Sequence, residues 1–236
     1  MEGVFLSAEW RHLVMLNYAV ERRRLEPLVP AGTELDLWRG EAVMSMVGFR
    51  FLRTRLLGVP VPFHRDFDEV NLRFYVRRMG PEGWRRGVVF VREIVPRRAI
   101  AAVARLIYGE NYVFMPMAHH LDPEDSGLIE YRWRHSGHWS ALSARVRGEP
   151  DELEPGSEAE FIAEHYWGYA RQRNGSTVEY RVEHPRWRAW AAEAPRLDAD
   201  VDRLYGPDLG AWLKQAPRSA FVAEGSPIVV RRGRRL

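Results

Sequence analysis

The stretch His64 to Arg78, HRDFDEVNLRFYVRR, sets four different polar chemistries at every second position: the carboxylate of Glu69, the amide of Asn71, the guanidinium of Arg73 and the phenol of Tyr75. On a β-strand alternate side chains share a face and stand roughly 7 Å apart. These four would therefore line one surface, with Val70, Leu72, Phe74 and Val76 on the other. Such a surface can hold and act on a small molecule. Glu69 would take or return a proton if burial raised its pKa. Arg73 or Arg65 would grip a carboxylate through the planar fork of a guanidinium. Asn71 would orient the ligand, and Tyr75 or Tyr112 would donate a proton or hold an oxyanion. The same alternation also describes an antiparallel strand with one wet side, in which the polar row is merely solvated.

Arg92 and Glu93 extend the candidate set, because they sit inside the apolar run VVFVREIVP. Charged residues in such a strand are seldom buried unpaired, so they either face the ligand or form an internal ion pair that fixes the sheet. Other chemistries are poorly served. The chain has no cysteine, which removes disulfides, thiolate nucleophiles and Cys-ligated zinc or iron–sulfur clusters. His119 and His120 are adjacent, so on extended chain they point to opposite faces, and His135 and His138 straddle a predicted turn instead of matching a ligand spacing. No metal is expected. His12 and His64 read as hydrogen-bonded structural histidines. No G-x-S-x-G, P-loop or Gly-rich dinucleotide fingerprint occurs, and no cofactor is expected.

The elements that must carry these residues follow from periodicity and breakers. Trp10 to Tyr18 is an apolar-rich opening, and a short helical turn after Val20 ends before Pro30. Leu35–Trp38 and Ala42–Leu52 read as a hairpin across Arg39-Gly40. The polar-faced strand breaks at Met79 to Gly83, and Gly87 to Val95 begins the next. Ile100, Val103, Ala104, Ile107 and Tyr108 recur at helical spacing, with Gly109 placed as the cap. Tyr112 to Met117 is extended. Leu128–His135 and His138–Arg147 form a hairpin over Ser136-Gly137. Ser157 and Glu160 resemble a capping box, and Asn174-Gly175 turns into a strand over Thr177–Glu183. Arg186 to Glu193 is ambiguous, Asp202 to Lys214 is partly helical, and strands at Ser219–Ala223 and Pro227–Arg231 close the chain.

At 236 residues and 46% hydrophobic content, one domain spanning residues 1–236 with a sizeable core is expected. The N-terminus has no basic region followed by a long apolar one, and no segment approaches a membrane span, so a soluble cytoplasmic protein is expected, with no membrane partner. The formal charge is +3, yet four arginines fall in the last six residues. The remainder is close to neutral, which disfavours nucleic acid as a partner. The oligomeric state stays open, a homodimer included.

Three passages together carry a resemblance: WRHLVMLNYAVERRRLEPLVPAGTELDLWRGEAVMSMVGFRF, HRDFDEVNLRFYVRR and RGVVFVREIVPRRAIAAVARLIYGENY. They resemble the YqjF-like family of uncharacterised proteins, strongly over the first half and more loosely to SAFVAEGSPIVVRRG. That family is similar, more distantly, to the acetoacetate decarboxylase superfamily. The resemblance implies an α+β fold, β-rich and mostly antiparallel, with a cone-shaped barrel around a small-molecule pocket and a few short helices. It places Glu69 as a pocket carboxylate. Acetoacetate decarboxylases use a lysine Schiff base, but the corresponding stretch here reads Glu110-Asn111-Tyr112-Val113-Phe114-Met115, and the single lysine of the chain is Lys214. Arginine cannot take that role, since a guanidinium stays protonated.

The leading expectation is a pocket for a small anionic or carbonyl-bearing metabolite, without the Schiff-base lysine. If the protein is an enzyme, Glu69 and Tyr112 are the catalytic candidates, and Arg65, Asn71, Arg73, Tyr75, Arg92 and Glu93 the substrate-binding ones. The alternative is a non-catalytic ligand-binding or scaffolding protein whose polar face is structural.

Overall fold

The computed structural model describes residues 3–62, 64–98, 109 and 111–236. Its strands run in chain order as β1 (Val4–Val20), β2 (Ala42–Leu56), β3 (Phe67–Gly80), β4 (Gly83–Val95), β5 (Tyr112–Phe114), β6 (Met117–Asp122), β7 (Leu128–His135), β8 (His138–Arg145), β9 (Trp167–Arg171), β10 (Thr177–Glu183), β11 (Arg188–Ala191), β12 (Glu193–Asp198) and β13 (Ser219–Arg231). Helices α1 (Arg22–Leu25), α2 (Glu158–Ala163) and α3 (Val201–Leu213) lie between them. The larger sheet runs β11-β13-β1-β2-β3-β4-β9-β10. Strand β10 then pairs again with β13 through Val182↔Val230 and Glu183↔Val229, so the sheet curls until its paired path returns on itself. Its ladders are antiparallel apart from β4 with β9 and β4 with β5. This is the β-rich, mostly antiparallel α+β fold expected.

A curl needs bent strands, and β-bulges supply the bend. The β1–β2 register shifts between Arg11 and Val14, where His12 takes φ 55°. The second sheet, in the order β12-β8-β7-β6, packs on the outer face of the first. Val70, Leu72 and Phe74 of β3 join Ile129, Tyr131 and Trp133 of β7 and Leu204 and Leu209 of α3 in one apolar cluster. Gly48 of β2 permits the close approach, since a Cβ there would lie 2.8 Å from the Tyr131 ring. The Tyr131 hydroxyl donates to the carbonyl of His12 at 2.9 Å. A second cluster fills the inner side, with Leu13, Met15, Val47 and Phe49 against Phe161 and Ile162.

Local chemistry sets many boundaries. Ser136 and Gly137 both have positive φ (51° and 86°), the geometry of a two-residue hairpin turn. The Glu160 amide donates to Ser157 Oγ at 3.1 Å and caps α2. The Glu160 carboxylate accepts from the Gly156 amide at 2.6 Å, not from the cap residue's own amide. Two expectations need correction. Leu35 does not fold back onto β2. It pairs with Val76 of β3, while only Trp38 and Glu41 bridge across Arg39-Gly40. The β2–β3 ladder stops at Met44↔Phe74, which leaves the Val76 edge open, and its backbone groups need partners. The two C-terminal strands are one, because Gly225 at φ 84° absorbs an irregularity while Arg11↔Gly225 keeps the ladder intact. The helix predicted over residues 100–108 lies outside the described residues. Among the described residues no helix is long and apolar enough to cross a membrane.

Candidate functional site

Inside the curl is a cavity of about 270 Å³, at the low end for small-molecule sites. Strand β3 supplies its polar wall as the alternation predicts, with Glu69, Asn71 and Arg73 facing inward. They are 1%, 1% and 7% exposed, so the wet-face alternative is excluded for this strand. Residues Phe67 to Val76 are buried without a break, and β3 is covered on both sides.

Glu69 is held at both oxygens. The Asn71 amide donates to Oε1 at 2.9 Å and the Tyr112 hydroxyl to Oε2 at 3.3 Å. The two residues expected to share the catalysis thus meet across β3 and β5. Arg73 presents the contrasting case. Its guanidinium contacts Met15 Sδ at 3.8 Å and lies 5.7 Å from the Tyr75 ring centroid. Nε has no hydrogen-bond partner, and among the described residues no carboxylate comes within ion-pair distance. A buried guanidinium without an anion is costly.

Beside this wall, where the Asp36 amide donates to the Tyr75 carbonyl at 3.0 Å and the His165 ring lies 4.6 Å from the Tyr75 ring, stands a pair that sequence reading missed. His165, just past α2, lines the cavity, and its Nε2 meets Asp36 Oδ2 at 3.2 Å. Arg86 Nε donates to the same oxygen at 2.6 Å. Burial opposes the charged form of His165 and lowers its pKa to about 4 in spite of Asp36. The ring is therefore neutral near pH 7, with its proton on Nε2 toward Asp36. That leaves the buried Nδ1 as an acceptor without a partner. Burial alone would raise the Asp36 carboxyl, but hydrogen bonds from His165 and Arg86 hold it below its ordinary value. Asp36 had a signal in the sequence, since in ELDLW it interrupts an apolar run just as Arg92 and Glu93 do.

The remaining candidates divide. Glu93 lines the cavity, but Arg92 does not. A bulge at Val91 explains the exchange, because Leu72 pairs with Arg92 while Arg73 pairs with Phe90. Val88, Phe90 and Glu93 then all face inward, whereas strict alternation would bring Arg92 in with Phe90. Arg92 instead sits 5.9 Å from the Tyr205 ring centroid on the outer side. Tyr75 is buried beside the cavity and does not line it. Its hydroxyl is 2.6 Å from Ser45 Oγ, which donates to Asn17 Oδ1 at 2.7 Å, so Tyr75 is the donor to Ser45. The Arg65 side chain is exposed and lies apart from the cavity lining. Lys214 is half-exposed at the end of α3 and ion-paired with Asp202, away from the cavity. Among the described residues no group of three His, Asp or Glu side chains is placed to hold a metal. In the basic tail, Arg231 pairs with Glu183 and Arg234 with Glu179, both at 2.8 Å.

Comparison with known proteins sharpens the picture. The model of the family DUF2071, described as an uncharacterised conserved protein, matches residues 7–227. The uncharacterised protein YqjF of Bacillus subtilis (strain 168) is 27% identical over 203 residues, covering 82% of this chain and 78% of that one. Among solved structures, acetoacetate decarboxylase from Legionella pneumophila is similar with a TM-score of 0.72 at 12% identity, over 99% of this chain and 88% of that chain. The enduracididine biosynthesis enzyme MppR, complexed with the condensation product of pyruvate and imidazole 4-carboxaldehyde, is similar with a TM-score of 0.68 at 13% identity, over 100% of this chain and 90% of that chain. At these identities the structural likeness is one of fold.

Proposed function

The chain belongs to the DUF2071 family, and we propose that it binds a small carboxylate or keto acid in the cavity, with Arg73 as the anchor. The observation that carries this reading is the Arg73 guanidinium, 7% exposed on the cavity wall with no carboxylate partner among the described residues. A ligand carboxylate would supply the missing charge and meet the planar fork in two parallel hydrogen bonds. The ligand of MppR, the condensation product of pyruvate and imidazole 4-carboxaldehyde, supports an oxo acid as ligand in this fold.

Glu69 and Tyr112 are the acid/base pair in this reading. Glu69 would accept a proton from the bound acid, and Tyr112 would pass its hydrogen bond from Glu69 to an oxygen on which charge develops. No imine step is involved. A non-catalytic ligand carrier is the second reading, favoured by the fact that both Glu69 oxygens are already hydrogen-bonded.

A thermal-shift screen of wild type and Arg73→Met against carboxylic and keto acids and their uncharged amides tests the anchor. Acids, and not amides, should raise the wild-type midpoint and leave Arg73→Met unmoved. Acids that stabilise both proteins equally, or none that stabilise wild type, would remove the reading. Product analysis of each hit with wild type and Glu69→Gln then separates enzyme from carrier.

A further inference from the structure

We propose that the acid held at Arg73 is an amphiphile, a monocarboxylate whose other end is an uncharged apolar chain or ring lying along the aromatic half of the same cavity. This inference rests on the anchor assigned above and adds the nature of the tail. The cavity is chemically split along its strands. At the level of Asn71 and Arg73 the wall is polar, with Glu93 and His165 nearby. Four residues back along β3, roughly 13 Å at strand spacing, Phe67 pairs with Phe51, and Phe51 with Trp10. Further out Leu6 pairs with both Leu56 and Val230. These residues line the cavity without a charge among them.

The rings form a continuous wall. Phe51 stacks on Phe67 at 4.6 Å, and Trp10 meets Phe49, Phe51 and Trp187 edge-on at 5.3, 5.8 and 6.3 Å. Burial is graded in the same direction. Asn71 and Glu93 are 1% exposed, while Leu57 and Val59, beside the lining residues Leu56 and Val61, are 66% and 64% exposed. The apolar end therefore opens to solvent, and the polar end is deep. A short hydrophilic acid would gain nothing from that wall, whereas an amphiphile entering head first would bury its tail against it. Polar groups interrupt the apolar half at Trp10 Nε1 and Thr54 Oγ1, which have no hydrogen-bond partner among the described residues, and the rings of His64 and His184 also line the cavity. A tail bearing one neutral oxygen is accommodated there, whereas a charged tail would lose its hydration against the rings.

Calorimetric titration of wild type with the straight-chain acids from acetate to decanoate, with phenylacetate, and with the dicarboxylates of matching length tests the proposal. Affinity should rise about fourfold per CH2 group until the cavity is filled, and each dicarboxylate should bind more weakly than its monocarboxylate partner. Leu56→Trp should lower the chain length of best binding and leave butyrate unaffected. Val61→Phe provides the same narrowing should Leu56→Trp fail to fold. Affinity flat from acetate to octanoate, with binding still lost in Arg73→Met, would overturn the apolar tail and leave the anchor standing. Binding of every acid by Arg73→Met as by wild type would overturn both.

Discussion

On β3, Val70, Leu72, Phe74 and Val76 look outward and Glu69, Asn71, Arg73 and Tyr75 look inward, and both rows are buried to nearly the same degree. The outer row sits in a dry interface between two sheets, where burial of apolar area and close packing stabilise the fold. The inner row carries a carboxylate, an amide and a guanidinium into a cavity, where each must be compensated. Glu69 and Asn71 find each other, Tyr75 finds Ser45, and among the described residues Arg73 finds a thioether and the face of a ring but no carboxylate. Equal burial thus has opposite meanings on the two faces. One face is there for stability, and the other is retained in spite of it.

Substitutions that treat the faces alike should expose the difference. The largest effect belongs to the outer row, where Phe74→Ala should cost about 3–5 kcal/mol through lost transfer energy and a cavity. Denaturant titration measures it, and a loss below about 1 kcal/mol would mean that the interface collapses around the gap.

Next comes the inner-side histidine. The unfolded chain protonates His165 near its ordinary value of 6.5, but the folded protein does so only near 4. Between these values the unfolded state binds more protons, so stability should fall as pH drops from about 6.5 to 4, by on the order of 3 kcal/mol. Burial also lowers the values of His12, His135 and His184, which act in the same direction. The informative quantity is the difference between wild type and His165→Gln across that window, and superimposable pH profiles would refute the assignment.

Arg73→Met, on the inner row, should leave the unliganded protein within about 1 kcal/mol of wild type or above it, because removing an uncompensated buried charge offsets the lost packing. Tyr112→Phe should be the mildest, its long hydrogen bond to Glu69 accounting for about 0.5 kcal/mol.

Much of this division was legible in the sequence. The period of two across HRDFDEVNLRFYVRR marked both faces, and Glu69 and Tyr112 were each named as candidates from their chemistry, although their contact came only from the fold. What escaped was set by contacts remote in sequence. Tyr75 was grouped with the site, but Ser45 and Asn17, on two other strands, hold its hydroxyl. Arg92 and Glu93 could not be told apart until the bulge at Val91 fixed which of them turns inward. Asp36 and His165 are 129 residues apart, and neither lies in a local pattern that names the other. Leu35 was assigned to a local hairpin, yet the open edge at Val76 competed more strongly for its backbone.

The most direct test of the division is denaturant unfolding of wild type and Arg73→Met, each with and without the tightest-binding acid of the titration series at about one hundred times its wild-type Kd. We expect the unliganded variant to match or exceed wild type, and the acid to stabilise wild type alone by about 2.7 kcal/mol. A variant several kcal/mol less stable than wild type, with the acid stabilising both proteins alike, would show that Arg73 is a structural residue and contradict the account.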